Sequence, residues 1–187
     1  MTFDIGLICS IIGLLITVFT FIYGIYIKRN RVIKFSEVVK CTDIIAEKLK
    51  AINFIPDVLI SFPKGGLIVA DLIGHLFNND LDIISIHTKR QIIDNDVNVI
   101  VRDSYVNYQA IKHKKLLIID DVLENGKTMA TIKEILIKNG VPKNSIKTAV
   151  LGKTEAFQAV FQPDFSVFTY FRNKKYKLFF PWGKVTL

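Results

Sequence analysis

Two adjacent carboxylates, Asp120 and Asp121, stand at the end of the apolar run LLII, and an Asn-Gly-Lys-Thr stretch, residues 125–128, follows shortly after. A carboxylate pair can take the vicinal hydroxyls of a sugar, and the first turn of a helix offers N–H groups to a phosphate. Acid and phosphate cradle in one short loop therefore suit a sugar phosphate, with Gly126 letting the chain come close to it. The stretch is not a nucleotide-triphosphate P-loop, because the glycine required five positions before Gly126 is Asp121.

Such a loop needs a strand to deliver the acids and a helix to receive the phosphate. KKLLIID (114–120) reads as a central parallel strand, DVLENGK as a loop and TMATIKEILIKN (128–139) as a helix stopped by Gly140, with Pro142 behind it. Upstream, Ser36 is placed to cap a helix reaching about Asn53. DVLIS (57–61) reads as a buried strand, FPKGG as a turn and LIVADLIGHLFN (67–78) as a second helix. DIISIH (82–87) is a strand, TKRQIIDND a polar loop and VNVIVRD an extended segment. IKTAVLGK (146–153), SVFTYF (166–171) and YKLFFPW (176–182) complete the strands. Strands alternating with helices predict an α/β fold with a mainly parallel sheet flanked by helices, and ligands of such sheets bind beyond the carboxyl ends of the strands.

IIDDVLENGKTM resembles the phosphoribosyl-pyrophosphate signature of type I phosphoribosyltransferases, most closely that of the purine (hypoxanthine, guanine, xanthine) group. Three further segments appear in that family's order: DVLISFPKGGLIVADLI, VLGKT, and PDF followed by KLFFPWG. The resemblance spans about residues 33–187. It implies a magnesium-dependent transfer of the 5-phosphoribosyl group to a purine-type base. Asp120 and Asp121 would bind Mg²⁺ and the ribose, Asn125, Gly126, Lys127 and Thr128 the 5′-phosphate, and Lys64, Gly65 and Gly66 the pyrophosphate. Glu124 would handle the proton of the purine ring nitrogen. Lys153, Leu178 and Trp182 would face the base, the last two from a C-terminal hood, and the polar stretch from Thr88 to about His113 would include a mobile loop over the site.

The sequence departs from that pattern at several places. Glu124 stands where Asp is usual, Asn125 where Thr is common, Lys177 near the usual stacking aromatic, and Gly183 where an acid often follows Pro-Trp. A nucleotide-binding effector or regulator without turnover is therefore the alternative. His75 and His113 read as packing or solvated groups, the role of His87 is open, and Asp94, Asp96 and Asp103 read most simply as solvated. Phe179 or Phe180 reads as core packing. No spacing matches a zinc site.

The N-terminus has a different character. Ile5 to Ile27 carry no charged side chain, whereas every Lys and Arg lies from Lys28 onward. The chain combines a net charge of +8 with a mean hydropathy of +0.35, a pairing that a simple soluble domain does not normally show. The uncharged run is long enough, as a helix, to cross a bilayer, and it lacks the basic start and cleavage site of a signal peptide. Lys28, Arg29 and Arg31 flank it on one side, which predicts a single-pass anchor with the following domain facing the cytoplasm. Residues 1–30 thus read as anchor and basic flank, and residues 31–187 as one phosphoribosyltransferase-like domain. Expected partners are phosphoribosyl pyrophosphate, a nucleobase or nucleotide, and the membrane. A homodimer is left open and no nucleic acid is expected. Richness in Ile, Leu, Val and Phe excludes disorder, and the two cysteines, Cys9 and Cys41, exclude a disulfide framework.

Overall fold

The computed structural model describes residues 12–22, 30–77, 81–93, 96–103, 105–155, 160–170 and 177–184. The chain forms two compact units, one of residues Lys34–Arg172 and one joining Met1–Ile33 to Asn173–Leu187.

The larger unit is built on a five-stranded sheet. Its strands are β2 (Val58–Ser61), β3 (Asp82–Ser85), β6 (Leu116–Leu123), β7 (Ile146–Thr154) and β8 (Phe165–Tyr170), in the order β3-β2-β6-β7-β8. Every neighbouring pair is parallel, in agreement with the fold class expected from the sequence. Two faces must then be covered, and the strands are apolar on both: Leu116, Leu117, Ile118 and Ile119 are each fully buried. Val58, Ile60, Ile118 and Val150 pack with Met129, Ile132 and Leu136 of α4 (Lys127–Lys138). The alternate residues turn to the other face, which α1 (Phe35–Ala51) and α2 (Gly65–Phe77) cover. α1 buries Val38, Cys41, Thr42, Ile45, Ala46 and Leu49, the spacing of one helical stripe.

Three sequence expectations are corrected here. Lys34, not Ser36, is the N-cap of α1, and it caps through its backbone carbonyl, which accepts from Glu37 and Val38. TKRQII is not a loop: β4 (His87–Ile93) pairs antiparallel with β5 (Asp96–Arg102), from His87 opposite Arg102 to Ile93 opposite Asp96. Backbone pairing makes Thr88 to Ile93 a strand where side-chain periodicity gave no signal, against the segment VNVIVRD, expected to be extended. Asp121 to Leu123, expected in a loop, continue β6, because their partners Gly152 and Lys153 extend β7 alongside.

The connection after β5 is held by tyrosines. Tyr105 donates to the Ser85 carbonyl, and Tyr108, which opens α3 (Tyr108–Ile111), donates to the Asp103 carboxylate. Asp103 is therefore a hydrogen-bond partner rather than a merely solvated acid. Burial and this bond push the Tyr108 hydroxyl well above the usual tyrosine range.

In the smaller unit, β1 (Asn30–Val32) pairs parallel with β9 (Lys177–Phe180), and β10 (Gly183–Lys184) pairs antiparallel with β9. Phe180 is buried and stacks on Trp182 at 4.8 Å, as expected of a packing aromatic. Residues 12–22 are helical, and their large apolar side chains, Phe19 and Phe21 among them, are exposed. Among the described residues no helix is long and apolar enough to cross a membrane. The rest of the expected span, residues 5–11 and 23–27, lies outside the described residues.

Candidate functional site

The site lies where β6 ends and α4 begins. Strand β6 sits between β2 and β7, so Asp120 and Asp121 are delivered to the carboxyl edge of the sheet at its centre. The Asp121 N–H donates to Asp120 Oδ1 at 2.9 Å, and the Val122 N–H to Asp121 Oδ1 at 2.8 Å. Burial of its carboxyl, and then the neighbouring charge of Asp121, hold Asp120 well above the usual carboxylate range. The Asp121 N–H and the Arg90 guanidinium pull in the other direction.

Gly126 starts α4 from the left-handed region, with φ of +80°. A Cβ there would lie 2.7 Å from the Phe161 Cβ and 3.1 Å from the Phe161 carbonyl oxygen, so both conformation and space require glycine. Asn125 Oδ1 accepts from the Lys127 N–H at 3.1 Å, an Asx turn that shapes the loop. The Asn125 carbonyl accepts from Val160 at 3.0 Å. The amide of Asn125 is thus occupied in building the cradle. Thr128 lies in the first turn, where helix N–H groups have no partner within the helix.

A second strand-to-helix turn meets the first. Lys64 is exposed and adopts φ of +71°, and Gly65 and Gly66 open α2 immediately after it. A Cβ on Gly66 would stand 2.8 Å from Asp120 Oδ1, so the first turn of α2 presses directly on the acid. Gly66, expected at the pyrophosphate, and Asp120, expected at the ribose, are therefore within contact distance of each other.

Arg90, which the sequence did not single out, enters from β4. Its Nη1 donates to Glu124 Oε2 at 3.0 Å and its Nε to Thr128 Oγ1 at 3.4 Å. Arg90, Asp120, Glu124, Gly126, Thr128 and Met129 line one small cleft with Val122 and Leu123. A cation in a polar stretch was the available signal, but nothing local said which way it would point.

Of the residues expected at the base, Lys153 lies at the end of β7 and donates to Gln162 Oε1 at 3.2 Å. Leu178, fully buried, and Trp182 belong to the smaller unit. The Glu124 carbonyl accepts from the Thr154 hydroxyl at 3.3 Å, which ties the acid's backbone to the strand that carries Lys153.

Among the described residues no three acidic, histidine or cysteine side chains gather as a metal cluster. The acid pair nevertheless fits Mg²⁺, which takes oxygen ligands from one or two carboxylates and completes its shell with water and substrate phosphates. Burial and then the Asp121 charge raise Asp120, and a divalent cation would relieve the second of these.

Residues 36–179 match the family described as phosphoribosyl transferase domain. The chain belongs to that family. Among solved structures, the purine phosphoribosyltransferase from Pyrococcus horikoshii is 26% identical, with a TM-score of 0.67 over 85% of this chain and 97% of that one. A hypothetical protein from Neisseria gonorrhoeae with bound ppGpp is 19% identical, with a TM-score of 0.67 over 82% and 89%. The xanthine-guanine-hypoxanthine phosphoribosyltransferase of Helicobacter pylori is 16% identical, with a TM-score of 0.62 over 82% and 93%. The last two likenesses are of fold. No curated protein matches the chain.

Proposed function

We propose that the protein transfers the 5-phosphoribosyl group from phosphoribosyl pyrophosphate to a purine-type base, with Mg²⁺, and that residues 5–27 tether it to a membrane with the larger unit in the cytoplasm. The observation that carries the reaction is the single cleft that joins Asp120, Glu124 and the first turn of α4. The tether is supported by the uncharged run from Ile5 to Ile27 and by the exposed apolar side chains of residues 12–22.

In this reading the ribose hydroxyls meet Asp120 and Asp121, the 5′-phosphate meets the start of α4, and the pyrophosphate meets Lys64 and the N–H groups of Gly65 and Gly66. The base nitrogen forms the new bond to the anomeric carbon as the carbon–oxygen bond to pyrophosphate breaks, and pyrophosphate leaves with the electron pair. Glu124 receives the proton released from the ring nitrogen. Asp120 and Asp121 would hold Mg²⁺, which would supply charge neutralisation for the departing pyrophosphate. The protein's share is orientation, fixed positive ends and exclusion of water. Lys153, at the end of β7, is proposed to face the base.

The test is the full chain in detergent with Mg²⁺, phosphoribosyl pyrophosphate and hypoxanthine, guanine or xanthine in turn, reading nucleotide and pyrophosphate. Formation of both with at least one base is expected. A second reading, a tethered nucleotide-binding effector without turnover, is favoured by the engagement of Glu124 with Arg90 at 3.0 Å. Binding without product for every base would decide for it. A reporter fused to the C-terminus is expected inside the cell, and an extracytoplasmic signal would overturn the orientation.

A further inference from the structure

Arg90 takes no part in the reaction as written above, yet it touches both of its halves. One guanidinium nitrogen holds the carboxylate assigned to the base proton, and another lies beside the hydroxyl of the helix turn assigned to the 5′-phosphate. The Glu124 side chain is 12% exposed and that of Arg90 51%, so the acid has little solvent to replace its partner while the arginine is free to turn. The hairpin β4–β5 forms a sheet of its own among the described strands, and Arg90 is a bridge from that hairpin to the loop between β6 and α4.

A phosphate at the first turn of α4 would lie next to the Thr128 hydroxyl, and therefore next to the guanidinium. It would offer the planar fork more negative charge than Glu124 does, together with two or more oxygens for a bidentate contact. Both anions draw on one guanidinium, so an arriving phosphate competes with Glu124 for it.

We infer that Arg90 is a binding and positioning residue shared between Glu124 and the 5′-phosphate. Without substrate it holds Glu124. When the phosphate arrives it turns to the phosphate and releases Glu124 toward the base. Substrate binding thereby arms the proton acceptor, and an empty site keeps it engaged. This rests on the cleft being the phosphoribosyl pyrophosphate site.

The probe is ribose 5-phosphate, titrated by calorimetry against the full chain in detergent. Arg90→Ala is expected to weaken binding by about tenfold or more, and Arg90→Lys, which keeps the charge and loses the fork, by about threefold. Glu124→Gln is expected to tighten binding by about threefold in the wild-type background, because Arg90 no longer has to leave a carboxylate, and to change nothing in Arg90→Ala. A merely structural arginine would not produce that dependence. Thermal melts of each variant, together with the lysine variant, separate misfolding from lost contact. If Arg90→Ala binds within twofold of wild type, or if Glu124→Gln weakens or leaves binding unchanged, the sharing is overturned while the site stands. If wild type itself does not bind ribose 5-phosphate, both fall.

Discussion

Two turns of this protein do similar structural jobs by opposite means. Each carries the chain from a buried parallel strand into the first turn of a helix, and each has one residue in the left-handed region. At the β6–α4 turn that residue is Gly126, with φ of +80°. At the β2–α2 turn it is Lys64, with φ of +71°. Glycine adopts this conformation without strain, whereas a lysine there stores about 1–2 kcal/mol. Phe161 lies against Gly126 and leaves no room for a side chain, while Lys64 is exposed and projects into solvent. One turn is fixed by packing, and the other holds an exposed lysine in a strained conformation.

The largest effect that would sharpen this contrast is expected from Gly126→Ala. The new methyl meets Phe161 in a conformation alanine resists, so a loss of about 2–4 kcal/mol is predicted, together with at least tenfold weaker binding of ribose 5-phosphate. Thermal melts and calorimetry report the two, and wild-type behaviour in both would remove the steric argument. Gly66→Ala should do less, about 1–2 kcal/mol, because the atom in its way at 2.8 Å is a carboxylate oxygen that can swing aside, though the Ile119 carbonyl at 3.4 Å limits the relief. If Gly66→Ala proved more damaging than Gly126→Ala, the ranking of the two turns would be inverted.

Asp120 connects the turns and has its own signature. Its folded-state carboxyl is raised, so the native protein binds its proton more tightly than the unfolded chain does. The stability this group contributes is fully present below the ordinary carboxylate range and is lost as pH climbs through the raised value. Asp120→Asn keeps the acceptor for the Asp121 N–H and removes the charge. It should therefore gain about 1 kcal/mol at neutral pH, a rise of about 2–4 °C in Tm, and lose that advantage in acid. An unchanged gap between variant and wild type across pH would show that the charge carries no strain. The same substitution should abolish binding of ribose 5-phosphate when combined with Asp121→Asn.

The smallest stability change is expected at Lys64. Lys64→Gly relieves the left-handed strain but adds unfolded-state freedom, and the two offset to within about 0.5 kcal/mol. Binding of pyrophosphate with Mg²⁺ should nevertheless weaken by about tenfold, read by calorimetry. A large stability loss with normal pyrophosphate binding would mean that Lys64 is structural, and the contrast between the turns would collapse.

Much of this was readable because it is local. Asp120 through Thr128 are contiguous, the helix starts where Gly-Lys-Thr said it would, and the apolar runs at Leu59 and Leu117 were dense enough to announce strands buried on both faces. Of the ribbon, the β5 half was legible as the extended segment VNVIVRD, whereas Thr88 to Gln91 show no alternation and owe their strand form to the partner across the hairpin. Ser36 looked like a cap, yet the carbonyl of Lys34 starts α1 instead, for a helix start is set by where the chain enters the fold and not by the best capping side chain nearby.

The sequence by itself determined the alternation of strand and helix, the order of the two glycine-bearing strand-to-helix turns, the acid pair, and the charge-free N-terminal run, because each depends on neighbours within a few residues. Only the tertiary structure decided that Phe161 closes on Gly126, that Gly66 presses on Asp120, and that Arg90 reaches Glu124 and Thr128. Those contacts join residues tens of positions apart, and strand register and helix packing, not local preference, bring them within reach.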